Sequence, residues 1–237
     1  MRYFTSFIFF VVCSAAISAC YDEPEFAMQP HLIDFDGEQG IRFVDIPNTV
    51  TDSLIIRVQF RDGDGDLGLR SNETDPLLEQ SFTPVTDSEG NYVVYDEAIH
   101  GPYDCTQFSP PPNYIGQEVI NDTLKGDYNP YFYNFEVTVF IKENTEFNEY
   151  DWRKERCSAP LGGRFSPLKE DLNDGKPLEG VIQYGFVSTG IQSFFRNDTV
   201  KLAVKIRDRA LNESNSIMSR AFTLQQGSLV YVDEEDL

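Results

Sequence analysis

Asp62-Gly63-Asp64-Gly65-Asp66-Leu67-Gly68 is the stretch of this 237-residue chain that holds the most chemistry. Three carboxylates at alternate positions, with glycines that let the backbone curl, can turn their oxygens toward one point and hold a hard cation such as Ca2+. Without a cation the same charges repel one another at short range. The competing reading is a solvated Asp-Gly turn that also discourages edge pairing of the strand before it. Asp62, Asp64 and Asp66 are the candidate metal ligands.

Glu73 joins them as the twelfth residue counted from Asp62, the place where an EF-hand puts its bidentate ligand. The loop is nevertheless no EF-hand, because its sixth residue is Leu67 rather than glycine and a strand leads into it. Asp208 and Asn212, in a second acidic turn, become further ligands if the two turns share one end of the fold. A different chemistry is offered by aromatic side chains. The region 92–133 is rich in Tyr and Phe, and Tyr114, Tyr131 and the single tryptophan, Trp152, lie in loop-like surroundings. Such rings stack on sugars or anchor a protein partner, since they offer a large area at low entropic cost. The blander reading is that they cover the core and fill a satellite cluster beneath long loops. His31 and His100 are the only histidines, and neither stands in a Ser, Cys or carboxylate signature. No phosphate loop or dinucleotide fingerprint is present either, so the chain reads as a non-enzyme.

The elements that must position these residues are strands. Leu54 to Phe60, Phe135 to Ile141, Val181 to Phe186 and Val200 to Ile206 alternate or are β-branched, with turn residues between them. Weaker candidates are Leu32 to Phe35, Ile41 to Val44, Tyr92 to Tyr95 and Ile217 to Leu224. Glu146 to Arg156 has room for a short helix. In the first run Leu54, Ile56, Val58 and Phe60 point inward; in the last, Val200, Leu202, Val204 and Ile206 do. The segments 52–62 and 198–208 also align without gaps, each a polar start, a one-face-buried strand and an Arg-Asp exit. One matching pair is too little for a tandem repeat. The expected fold is all-β, an immunoglobulin-like antiparallel β-sandwich of one domain with long loop insertions.

Composition excludes other classes. A net charge of −20 and a pI near 4.3 argue against nucleic acid, which needs clustered Lys and Arg. Hydrophobic content of 41% is enough for a core and argues against general disorder.

The N-terminus reads as a secretory signal: Arg2, an apolar run from Tyr3 to Val12, then small residues up to Ala19. Ile17-Ser18-Ala19-Cys20 resembles the bacterial lipobox, which implies cleavage after residue 19 and acylation of Cys20, with palmitate-type chains as the membrane anchor. The expected organisation is signal peptide 1–19, lipidated acidic tether 20–29, sandwich 30–228 and acidic tail 229–237. Cys13 leaves with the signal and Cys20 carries lipid. Cys105 and Cys157 remain, and in an oxidising compartment a disulfide between them is favoured over two buried thiols.

Tyr21-Asp22-Glu23-Pro24-Glu25 resembles the acidic export signal that follows the cysteine in Bacteroidota surface lipoproteins. Asp208-Arg209-Ala210-Leu211-Asn212-Glu213-Ser214 resembles the hairpin before the last strand of many bacterial immunoglobulin-like domains. Lipobox, strand-DGDGDLG, Tyr131-Phe132-Tyr133-Asn134 and DRALNESN together are similar to a group of uncharacterised Bacteroidota outer-membrane lipoproteins. The resemblance implies a lipid-anchored protein at the outer membrane, at the cell surface or, alternatively, on the periplasmic face. It implies a structural or protein-binding accessory subunit contacting other envelope proteins, with surface glycan binding as the alternative.

Overall fold

The computed structural model describes residues 25–45, 51–188, 191–195, 198–225, 227–233 and 235. The expected signal segment 1–19, the expected lipidation site Cys20, residues 21–24 of the expected tether and residues 234, 236 and 237 of the expected tail lie outside the described residues. In chain order the strands are β1 (His31–Phe35), β2 (Ile41–Asp45), β3 (Asp52–Asp62), β4 (Phe82–Pro84) and β5 (Phe108–Ser109). Next come β6 (Asn113–Ile115), β7 (Glu118–Ile120), β8 (Leu124–Tyr128), β9 (Phe135–Glu143) and β10 (Glu146–Tyr150). The last five are β11 (Leu178–Ser188), β12 (Val200–Ile206), β13 (Ile217–Met218), β14 (Phe222–Gln225) and β15 (Ser228–Tyr231). Helices are single turns, and among the described residues none is long and apolar enough to cross a membrane.

Two antiparallel sheets form the sandwich. One is ordered β1-β3-β11, with β2 also on β3; the other is ordered β10-β9-β12-β14-β15, with β13 also on β12. The two matching sequence segments are the central strands of these opposite sheets. Each has one full-length neighbour, β11 for β3 and β9 for β12. Each has two short strands end to end on its other side, β1 and β2 for β3, β13 and β14 for β12. The match therefore reflects one role played twice, once in each sheet of the sandwich.

Leu54, Ile56, Val58 and Phe60 of β3 meet Val200, Leu202, Val204 and Ile206 of β12 in one buried cluster, completed by Phe135, Val139, Ile182 and Phe222. A strand with a side chain to the core at every second residue buries one whole face, which fixes its register. The β9–β10 hairpin turns at Asn144, whose φ of 57° suits the left-handed tolerance of Asn.

Three differences from the sequence reading have local causes. The run 217–224 is broken into β13 and β14, because Ser219 spans the gap with its side chain: its Oγ accepts from the Leu202 amide at 2.9 Å. The run 92–95 forms only isolated bridges, Thr86 with Tyr92 and Val94 with Leu124. The stretch 146–156 divides into β10 and a helical turn at Trp152–Arg156, capped by the Asp151 carboxylate, which accepts from the Lys154 amide. At the chain's end, β15 pairs with β14 through Tyr231, so the sheet runs past the expected boundary at residue 228.

Residues 76–131 form a module of their own between β3 and β9. Its strands β4, β8 and β5 make a small sheet beside the β6–β7 hairpin. Tyr95, His100, Tyr103 and Phe108 pack as its aromatic core, with centroids 5.0–6.4 Å apart. The module is fastened to the sandwich by the Cys105–Cys157 disulfide, which closes a separation of 52 residues. The Arg153 guanidinium, 3.6 Å from the centre of the Tyr128 ring, and Arg164, donating to the Leu78 carbonyl at 2.7 Å, add polar fastenings.

Candidate metal centre

Strands β3 and β12 end at the same edge of the sandwich, and their Arg-Asp exits bring two acidic turns together. Asp62 is the last residue of β3 and is fully buried; Asp208 follows β12 and is 1% exposed. From Asp62 the chain curls back on itself, so one carboxylate oxygen each of Asp62, Asp64 and Asp66 lie within 4.8 Å of one another.

The curl is packed rather than solvated. Gly65 has φ +64°, and a Cβ there would meet the Lys176 carbonyl oxygen at 2.3 Å; Gly68 has φ +105° and the same conflict with Pro167. Both positions demand glycine on conformation and on space. The Leu69 amide donates to the Phe165 carbonyl and the Gly63 amide to the Ala27 carbonyl, so the loop is held on two sides.

The electrostatics follow from that packing. Both carboxylate oxygens of Asp62 and Oδ1 of Asp66 are buried with no hydrogen-bond partner. Burial, then the neighbouring Asp64, Asp66 and Asp208 charges, push Asp62 up to about 7, opposed by the backbone amide of Asp66 that faces it. Burial, then Asp208 and Asp64, push Asp66 to about 6, opposed by the backbone amides of Arg209 and Ala210 that face it. Asp208 is also raised, chiefly by burial, although its two oxygens accept from the Asn212 amide at 2.7 Å and the Asn212 side chain at 2.8 Å. Two full charges 4.8 Å apart repel by about 3 kcal/mol at an effective dielectric of 20. Among the described residues, no Lys or Arg forms an ion pair with any of these four carboxylates. Lys169 reaches the loop, but its ammonium pairs with Asp174 and donates to the Asp64 and Lys176 carbonyls.

Glu73 is not in this cluster. Its buried carboxylate grips the Arg209 guanidinium with both oxygens and accepts from the Arg70 amide at 2.9 Å. The twelve-residue spacing therefore places an ion-pair partner, not a ligand. Nothing in the local sequence pairs residue 73 with residue 209; only the meeting of the two turns does.

The DRALNESN segment is equally specific in its contacts. Glu213 accepts from Lys205 and Arg207, which hold its carboxyl down to about 2. Ser214 Oγ accepts from the Ile206 amide, and the Asn215 side chain exchanges two hydrogen bonds with Leu32 of β1, tying the second sheet to the first.

The aromatic candidates separate. Tyr114 is 69% exposed at the β6–β7 hairpin and lines a groove of about 330 Å³ with Phe132, Glu79, Gln80 and Ser81. Tyr131 is partly exposed, its ring 5.2 Å from the buried Arg207 guanidinium. Trp152 is not a free stacking surface: its ring meets Phe194 at 4.8 Å and Phe195 at 5.8 Å, and its Nε1 donates to Ser158. Trp152→Ala is accordingly expected to cost about 2 kcal/mol, less than the ~3–5 of a fully buried aromatic. The check is the urea midpoint, and an unchanged midpoint would return the ring to a surface role. His100 is folded back onto the amide of Asp96, the residue that caps its own helical turn, and packs against Tyr95 and Phe108.

Compared with known proteins, the chain matches no family model, no curated sequence and no solved structure.

Proposed function

We propose that the protein is a non-catalytic, lipid-anchored accessory subunit of the outer membrane that offers its 76–131 module to another envelope protein. The observation that carries this reading is where apolar surface is left uncovered. Among the described residues, eight of the fifteen exposed large hydrophobic residues fall between 77 and 131, led by Ile99 at 76% and Tyr114 at 69%. A module that carries this share of the exposed apolar side chains suits an interaction surface. The module is also stapled and internally packed, so its surface is held in shape before a partner arrives, which lowers the ordering cost of binding. Anchorage rests on Ile17-Ser18-Ala19-Cys20.

The test is mild-detergent purification of the tagged full-length protein from native membranes. The expected result is co-purification of an outer-membrane protein near one-to-one. An Ile99→Asp, Tyr114→Ala variant is expected to lose it at least tenfold while its melting temperature stays within about 2 °C, as surface substitutions do. Recovery of the lipoprotein alone would overturn the reading.

The Tyr114 groove favours a second reading, a glycan-binding protein, because an exposed ring beside Glu79, Gln80 and Ser81 offers a stacking face and hydrogen-bonding groups to a sugar. Retention on polysaccharide gels that Tyr114→Ala abolishes, with no protein partner, supports that reading over the first.

A further inference from the structure

A carboxylate that is fully buried with neither oxygen hydrogen-bonded is rare in folded proteins, because an unpaired charge out of water is expensive. Asp62 is such a group, and it faces Asp64 and Asp66 rather than a cation of the protein. Three oxygens on one ion at ~2.4 Å can be at most ~4.8 Å apart, and the three aspartates meet that bound. The Asp208 carboxylate of the opposite sheet is not among the oxygens that lie within 4.8 Å of one another. Its two oxygens instead accept from the Asn212 amide and the Asn212 side chain. We propose that Asp62, Asp64 and Asp66 hold one Ca2+ ion at the end of β3, beside the Asp208 turn of the opposite sheet.

Ca2+ suits the set better than other metals. All the donors are hard oxygens, which disfavours the softer transition metals. The donors come from one irregular curled loop, a geometry that Ca2+ accepts and Mg2+, with its strict octahedron and tightly held waters, does not. The ion would also fasten the segment that arrives from the N-terminus. Gly63 donates to the Ala27 carbonyl, and a Cβ at residue 63 would strike the Phe26 and Ala27 carbonyl oxygens at 2.5 Å. Ordering the loop therefore orders the start of the sandwich.

The experiment is a thermal melt of the full-length protein in detergent, stripped with chelator and then given about 5 mM Ca2+ or Mg2+ at matched ionic strength. With a Kd of about 0.1–1 mM, typical of extracellular sites, Ca2+ raises the melting temperature by about 3–9 °C. Mg2+ gives less than a third of that shift. In Asp62→Asn the Ca2+ shift is lost, while the chelated variant melts no lower than the chelated parent, since one like charge has gone. Asp64→Asn, at a less buried position, repeats the loss if a deeper variant folds poorly. Hydrogen exchange at residues 26–28 and 62–69 slows with Ca2+ in the parent alone. No shift in the parent, an equal shift with Mg2+, or a shift that survives in Asp62→Asn overturns the proposal.

Discussion

A Cys105→Ala, Cys157→Ala variant is expected to lose about 4 kcal/mol of stability on the chain-entropy account of a bridge that closes 52 residues. The loss is expected to be uneven. β3, β9, β11 and β12 keep their ladders and their common core, so exchange in the sandwich centre changes little. The module at 76–131 keeps Arg153 over Tyr128 and the Arg164 hydrogen bond to Leu78, but these partly exposed contacts cannot replace a covalent closure. Its amides from Val93 to Tyr128 are therefore expected to exchange much faster in the variant. The checks are a urea midpoint at constant slope and residue-resolved hydrogen exchange. A loss below about 1 kcal/mol would mean that the module's own packing holds it in place. If the exposed face of the module binds a partner, the same variant also weakens that binding.

Glu73→Ala is expected to cost about 3 kcal/mol. The carboxylate is 4% exposed and the Arg209 guanidinium 25% exposed, so removing the acid leaves a mostly buried cation and the Arg70 amide without a partner. A double-mutant cycle with Arg209→Ala should recover a large part of that cost, because the stranded charge goes too. The pH dependence has a definite sign. Arg209 holds the Glu73 carboxyl below its ordinary 4.5, so the folded state binds the proton less tightly than the unfolded one. Its contribution is present above about 4.5 and is lost as pH falls through the depressed value. The parent should thus lose stability more steeply than Glu73→Ala in that acid range. Parallel acid limbs would show that the pair contributes nothing.

Local pattern was enough for much of this molecule. The alternation in 54–60 and 200–206 located both central strands and their core faces, because a pleated strand exposes its hydrophobic choice at every second residue. The disulfide followed from cysteine arithmetic once the N-terminal cysteines were set aside. The glycine-aspartate alternation at 62–68 located the carboxylate cluster, since loop curl is a local property. Spacing misled where a residue's partner is distant in sequence. Glu73 stood in the right place for a ligand and was claimed by Arg209, 136 positions away. Trp152 stood in a loop-like segment and was claimed by Phe194 and Phe195.

The sequence by itself determined the strand class and the identities of the acidic residues that gather at one end. Only the tertiary structure decided that 52–62 and 198–208 are the centres of facing sheets, which is what sets Asp208 against Asp62. It alone buried Asp62 without a partner and gave Arg209 to Glu73. The reason is physical. Period and turn chemistry act over a few residues and can be read along the chain, whereas burial and charge pairing depend on which surfaces the two sheets bring together.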